Sequence, residues 1–529
     1  MLQTLTSSRG MITAPHHLAA QAGLSVLRDG GTAIEAMVAA ASTIAVVYPH
    51  MNSIGGDGFW IVAEPGKAPI GIDACGAAAD LASMDFYRER DCKAIPSRGP
   101  FAANTVAGAI SGWQAALEVS AQWGGKLPVS RLLADAIWHA RNGAPVTRSQ
   151  NVFTARFLEE LASQPGFAGQ FLDKGAPPAA DTLKTYAALA STLERLANVG
   201  LDDFYRGEIS QALGAELARI GSPVRAADLQ KHRAKQVTPL TVSLRAGQVW
   251  NMTPPTQGLA SLMILGIFDR LGVSAADGFE HLHGLIESTK LAFRVRNRHV
   301  IDPAYMTVNP ADFLTDAALD ERAKQVDPAR ALPWPEFAPK GDTIWMGAAD
   351  SSGRMASYIQ SVYWEFGSGV VLSDTGVAWQ NRGSSFLLDP KSHLALAPGK
   401  KPFHTLNPAF ARLKDGRNMV YGTMGGDGQP QTQSEVFSRY AMFGQPLQQA
   451  VTAPRWLLGK TWGEESVTLK LESRFDAALI ERMKSAGHNV EVLDAFSDTM
   501  GHAGAVVVHP NRLIAGAADP RSDGIVAGF

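Results

Sequence analysis

The 529 residues balance 48 Lys and Arg against 50 Asp and Glu, for a formal net charge of −2 with no basic stripe, so nucleic-acid binding has no electrostatic support. A hydrophobic content of 46% is enough to bury a large core, either as several domains or as one large α/β sandwich. Cys75 and Cys92 are too few for a disulfide framework or a zinc cluster and read as reduced thiols. The opening MLQTLTSSRGMITAPHH has no apolar signal core, and no apolar run reaches the roughly 18 residues of a membrane span, so a soluble cytoplasmic protein is expected.

From Met11 the chain reads as a short strand, MITA, and then a helix with the apolar period Ala19, Ala22, Leu24, Val26, Leu27, which stops at Asp29-Gly30-Gly31. An alanine-rich helix is expected over 32–47, its small residues permitting close packing. After Asn52-Ser53-Ile54-Gly55-Gly56-Asp57-Gly58 come two strands, FWIVAE and APIGIDA, joined by a Pro-Gly turn. Residues 106–143 read as helix, and 183–220 as amphipathic helices broken at 203–207. Alternation over 240–252 predicts strands. The turn at 253–258 leads into the apolar helix LASLMILGIFDRLG, followed by a helix over 281–300 rich in Arg, Lys and His. The connector 323–342, with Pro328, Pro333, Pro335 and Pro339, keeps no helix or strand period. Beyond it lie strands with hairpin signals at Asp350-Ser351-Ser352-Gly353 and Lys414-Asp415-Gly416, a helix over 475–486, two more strands and a glycine-punctuated tail. This order fits one α/β body whose sheets take strands from both ends of the chain, with helices outside.

Thr343 stands between that connector and a strand. A threonine there is ordinarily β-branched filler. If the peptide bond before it breaks, however, its hydroxyl becomes a nucleophile with its own α-amine as the adjacent base. Two glycine loops, Gly55-Gly56-Asp57-Gly58 and Gly425-Gly426-Asp427-Gly428, lack the strand–GxGxxG–helix setting of a dinucleotide cradle and the Gly-Lys-Ser/Thr of a phosphate loop. They read better as backbone that can approach a ligand closely, as an oxyanion hole requires, each donor contributing about 3 kcal/mol to the barrier. His16, His17, His281, His283 and His502 show no metal-ligand spacing, and no GxSxG is present. No metal and no cofactor is expected.

Ordered motifs along the chain carry a resemblance. They include PHHLAAQAGLSVLRDGGTAIEAMVAAA, VYPHMNSIGGDGFWIV, DDFYRGEISQAL, MTPPTQGLASLMIL, IESTKLAFRVRNRHVIDP, FGSGVVLSDTGVAWQN, APGKKPFHTLNPAF, YGTMGGDGQPQTQ and AADPRSDG. Nearly end to end, the sequence resembles the γ-glutamyltransferase family of N-terminal-nucleophile hydrolases. The resemblance implies a four-layer αββα sandwich and self-cleavage between Asp342 and Thr343. A large fragment, 1–342, and a small one, 343–529, would then form one intertwined domain, with the possibility of a homo-oligomer of that heterodimer. It further implies Thr343 as nucleophile, Ser361 as the hydroxyl that supports it, and Gly425 and Gly426 as the oxyanion glycines.

The family's charged set for a glutamyl substrate is altered here. Cys75 replaces an arginine, Ser385 an acidic residue, Tyr363 an asparagine, and His404-Thr405 a Ser-Ser pair; Ile344 follows the nucleophile where a threonine is usual. Losing a guanidinium and a carboxylate would cost a zwitterionic ligand several kcal/mol. Bulk at Tyr363, Trp345 and Trp364 argues for a smaller acyl group, and Arg382, with His404 and Thr405, offers a new fork for one carboxylate. The short 385–400 segment suggests a more open mouth. These changes resemble the branch that hydrolyses oxamate to oxalate and ammonia in purine-nitrogen salvage, so the expected partner is a small anionic amide. The same-family alternatives are a γ-glutamyl hydrolase or transferase and a β-lactam side-chain acylase. The alternative from another class is an uncleaved, non-catalytic binding protein.

Overall fold

The computed structural model describes residues 3–334, 342–459 and 466–529. Two seven-stranded antiparallel sheets stack face to face. One runs, edge to edge, through Leu5–Ser7, Ile514–Ala518, Ala503–Val508, Asn418–Thr423, Ala409–Leu413, Gly247–Asn251 and Leu240–Leu244. The other runs through Ile525–Gly528, Met11–Ala14, Asp342–Ala349, Met355–Tyr363, Asp57–Ala63, Ile70–Ala74 and Lys235–Val237. Each sheet therefore mixes strands from before and after residue 342.

Three apolar layers hold the sandwich. Phe59, Ile61, Trp345, Ile359, Phe410, Val420 and Val506 fill the space between the sheets. The helices His17–Arg28, Ala33–Val47 and Ala109–Gln122 cover the outer face of the second sheet, against Trp60 and Tyr358. Gly258–Phe268 and Phe279–His299 cover the first. Ala33–Val47 is buried all round, so its sequence is apolar without a polar face. It starts with a capping box in which Thr32 Oγ1 accepts from the Glu35 N–H and the Glu35 carboxylate accepts from the Thr32 N–H.

The expected elements are present, with instructive differences. Residues 106–143 form Ala109–Gln122, Val129–Leu132 and Ala134–Asn142 rather than continuous helix, interrupted where Gly124 takes a left-handed φ of 87° and Pro128 follows. The expected break at 203–207 contains a helical turn of its own, Asp203–Arg206. The glycine-punctuated tail ends in a strand, Ile525–Gly528, because the exposed edge of Met11–Ala14 supplies its hydrogen-bond partners. Gly425–Asp427 does lie between a strand and a helix, since Gly428–Phe437 is helical. Residues 335–341 of the connector lie outside the described residues, and 324–334 form neither helix nor strand.

Candidate active site

Thr343, Trp345, Ser361, Ile359, Asp57 and Phe59 share the inner face of the second sheet by strand alternation. At its end the ladder between Asp342–Ala349 and Met355–Tyr363 slips by one residue. Ile344 pairs with Gln360 and Asp342 with Tyr363, so Ser361 and Val362 together oppose Thr343. On the next strand Asp57 pairs with Ser361. Asp342 and Thr343 are consecutive residues of one strand.

The other sheet contributes the glycine loop. The strand Asn418–Thr423 ends, and Gly425 (φ 113°) and Gly426 (φ 50°) turn the backbone into the helix Gly428–Phe437. Their N–H groups donate to no group among the described residues. One residue pair ties this loop to the nucleophile position: Gln429, in the first helical turn, directs Nε2 at Thr343 Oγ1 at 3.4 Å, and its own N–H donates to the Gly426 carbonyl at 3.2 Å. A second amide, Gln257, spans the loop and the pocket wall, donating to the Gly426 carbonyl at 2.7 Å and the Thr405 carbonyl at 2.8 Å. Arg296 anchors both, through Gln257 Oε1 at 2.7 Å and an ion pair with Asp427 at 3.1 Å.

Beside this lies a buried charged cluster. The Arg382 guanidinium stacks over the Tyr363 ring at 3.7 Å and makes only long hydrogen bonds to Thr405 Oγ1, at 3.3 and 3.4 Å. It forms no ion pair among the described residues. Burial lowers it to about 10, which still leaves it charged at neutral pH. Tyr363 is held in a left-handed backbone (φ 86°) rare for an aromatic residue, and burial pushes its phenol up to about 12. Asp57 Oδ1 accepts from the N–H groups of Gly76 (3.0 Å) and Gly108 (3.1 Å) and from Gln380 Nε2 (3.2 Å). Those close approaches need glycine, because a Cβ on either residue would lie 1.6 Å from a backbone oxygen. Asp57 Oδ2 faces His404 Nε2 at 3.1 Å. Burial raises the Asp57 carboxyl to about 7 and holds His404 well below the imidazole range, with Arg382 and Lys401 adding to the latter effect.

All of the expected site residues for which a side chain is described therefore gather at one end of the sandwich. Ser361 Oγ accepts from the Tyr363 N–H at 2.8 Å. Thr343, Ser361, Tyr363, Arg382, His404 and Thr405 are all buried. Trp345 does not line the pocket: its indole lies between the sheets against Gly347, Gly422 and Gly504 and donates to Ser357 Oγ at 3.0 Å. Trp364 packs near Tyr363 and under Arg98. The sequence reading missed Asp57, Gln257 and Gln429. Asp57 and Asp427 had a signal, as they occupy matching places in the two Gly-Gly-Asp-Gly loops.

Two triads come within metal-binding reach that spacing did not reveal. Ligand atoms of Asp57, Cys75 and His404 lie within 4.8 Å of one another, as do those of His283, Glu287 and His488. The first already holds a hydrogen-bonded pair, with a guanidinium alongside that opposes a cation, and burial holds the Cys75 thiol well above its usual range. In the second, His283 bonds His488 at 2.9 Å and the Asp327 carbonyl at 2.7 Å, while Glu287 pairs with Lys290 at 2.7 Å. These are satisfied core groups.

Two inner sheets, helices on both outer faces, and a threonine at the head of an inner strand beside a glycine loop define the αββα fold of N-terminal-nucleophile hydrolases. The sequence model of gamma-glutamyltranspeptidase matches residues 19–529, and the chain belongs to that family. It is 55% identical over 524 residues to an oxamate amidohydrolase proenzyme of Klebsiella pneumoniae, covering 99% of each chain. It is 37% identical to a glutathione hydrolase-like proenzyme of Bacillus subtilis, covering 100% of each. A cephalosporin acylase from Bacillus halodurans superimposes with a TM-score of 0.91 at 32% identity, over 100% of this chain and 97% of that one. Among the described residues no helix is long and apolar enough to cross a membrane.

Proposed function

We propose that the chain cuts itself between Asp342 and Thr343 and that the matured enzyme hydrolyses oxamate, or a close anionic amide, to oxalate and ammonia. The observation that carries this reading is Arg382, a buried guanidinium with no carboxylate partner among the described residues, held flat by Tyr363 beside Thr405. A buried charge left so weakly satisfied is costly unless a ligand completes it. The identity with the Klebsiella proenzyme supports the same substrate class.

In this reading the substrate carboxylate docks on the Arg382 fork and Thr405. Thr343 Oγ attacks the amide carbon while the freed α-amine takes the hydroxyl proton. The oxyanion forms against the N–H groups of Gly425 and Gly426. The C–N bond then breaks, the amine returns its proton to the departing nitrogen, and ammonia leaves an acyl ester on Thr343. Water, deprotonated by the same amine, attacks the ester and releases oxalate. Gln429 and Ser361 steady the hydroxyl and the strand end that carry the nucleophile.

The likeness to the cephalosporin acylase favours a second reading, a larger acyl group. Offering oxamate, a glutaryl amide and γ-glutamyl-p-nitroanilide in parallel separates the two. Ammonia released from oxamate alone supports the first; turnover of the larger substrates without it supports the second.

A further inference from the structure

The four side chains Arg382, Asp57, His404 and Cys75 are buried together, and in the empty site only Arg382 and Asp57 can carry charge, one of each sign. In the matured enzyme the freed Thr343 α-amine stands in this site too, neutral when it acts as the base, and the remaining groups do not change that balance. Asp73 is paired with Lys401 at 2.6 Å and Asp427 with Arg296 at 3.1 Å. The phenols of Tyr205, Tyr358 and Tyr363 are held above their ordinary range by burial and stay protonated. A carboxylate arriving on Arg382 therefore leaves the cluster with one uncompensated negative charge among buried side chains, which is strongly unfavourable.

Resting on the reading of Arg382 as the carboxylate anchor, we propose that the Asp57–His404 pair is the site's charge compensator, holding one proton while an anionic ligand is docked and taking it from solvent when the empty pair lacks it. The geometry says where that proton is felt. Asp57 Oδ1 already accepts three donors, so a proton on the carboxyl belongs on Oδ2, and His404 Nε2 must then accept it. A neutral imidazole that accepts at Nε2 carries its hydrogen on Nδ1. If the proton resides on the imidazole instead, Nδ1 again carries hydrogen. Either way His404 Nδ1, a buried nitrogen with no partner among the described residues, becomes an N–H donor, which an anionic ligand needs and a neutral one does not. Asp57 is thus a positioning residue that couples anion affinity to pH. The Asp57 carboxyl in the empty site, at about 7, sets the range: little uptake below that pH, approaching one proton above it.

The test uses the matured enzyme, with oxalate as probe. Calorimetric titration at pH 8 in two buffers of different ionisation enthalpy is expected to report at least about one proton taken up per oxalate bound, since oxalate brings two negative charges at that pH. KM for oxamate should be flat below pH 7 and rise about tenfold per unit above it, with kcat much less affected. Asp57→Asn keeps Oδ1 as acceptor and fixes His404 with hydrogen on Nδ1. It should lower the uptake by about one proton, flatten the KM profile, and bind oxalate at pH 8.5 at least as tightly as the wild type. Merely structural damage would weaken binding at every pH. Oxalate bound with no proton uptake by the wild type overturns the inference and leaves the proposed reaction standing. Uptake with oxalate but no ammonia from oxamate overturns the reaction and leaves the compensator standing, and no oxalate binding at all overturns both.

Discussion

The Arg382 guanidinium lies over the Tyr363 ring at 3.7 Å, and the tyrosine accepts a left-handed backbone to hold its ring there. The fold thus keeps a strained aromatic and a cation without a direct ion-pair partner among the described residues next to one another in its interior. Both are unfavourable for stability alone and intelligible if the cation is reserved for a ligand.

Replacing that cation should separate binding from folding. Arg382→Gln is expected to raise KM for oxamate about ten- to 150-fold, the loss of a charge-assisted hydrogen bond of about 1.5–3 kcal/mol. Its Tm should not fall, because the removed charge has no ion-pair partner among the described residues. Steady-state kinetics and a thermal melt check the two halves; an unchanged KM assigns Arg382 to structure.

The glycine loop should act on kcat. Gly425 has a φ of 113°, which alanine adopts only with strain, so Gly425→Ala turns its N–H away from the oxyanion position. A loss of about 10²–10³ in kcat is expected, with a smaller change in KM. A kcat within threefold of wild type would remove this loop from the chemistry.

The space between the sheets should be sensitive at Trp345. A Cβ on Gly422 would lie 2.3 Å from the indole, so Gly422→Ala forces the ring or the sheets apart. Trp345→Ala empties the same space at a cost of about 3–5 kcal/mol, measurable by urea unfolding of the uncut Thr343→Ala background. Because Trp345 shares a strand face with Thr343, both variants should also slow self-cleavage, read as accumulation of full-length chain on a gel.

Much of the architecture was legible because periodicity and caps agree with it. The helix Ala33–Val47, the hairpin around Asp350–Gly353 and the strand starting at Thr343 follow from local pattern alone. The helix Gly428–Phe437 was not, because Gly-Asp-Gly-Gln-Pro resembles a loop. Pro430 is tolerated there since the first helical turn needs no N–H from it. Asp57 and Gln257 owe their place to contacts between distant segments: the pairing of Asp57 with Ser361, and the reach of Gln257 to Thr405 and Gly426. No local pattern encodes such contacts. Trp345 was misplaced because bulk near a nucleophile reads as pocket lining unless the three glycines that accommodate it are known to be its neighbours.

A second buried ionic network gives a pH test with opposite signs. Asp519 takes Arg455 and Arg521 together, and these outweigh the effect of burial and hold its carboxyl low. Its contribution is present above the ordinary carboxylate range and is lost as pH falls through its depressed value. Asp519→Asn should cost about 3–5 kcal/mol at pH 7. Burial instead raises Glu435 to about 8, despite Arg439 at 3.3 Å. In the folded chain it is mostly protonated at neutral pH, whereas the unfolded chain ionises it, so its contribution is full below the ordinary carboxylate range and is lost progressively as pH rises from there to about 8. Glu435→Gln, which ionises in neither state, should therefore not destabilise the protein at pH 7 and should flatten the decline between the carboxylate range and pH 8. Urea midpoints from pH 4 to 9 read both, and equal costs at pH 7 would contradict the assignment.

Residue 343 decides the account. Denaturing mass spectrometry of the purified protein, alongside Thr343→Ser and Thr343→Ala, is the direct measurement. The account predicts two wild-type fragments, the smaller beginning at Thr343, slower partial cleavage with some ammonia release for Thr343→Ser, and one intact, inactive chain for Thr343→Ala. A full-length Thr343→Ala chain that still releases ammonia from oxamate, or a wild-type cut anywhere else, would contradict it.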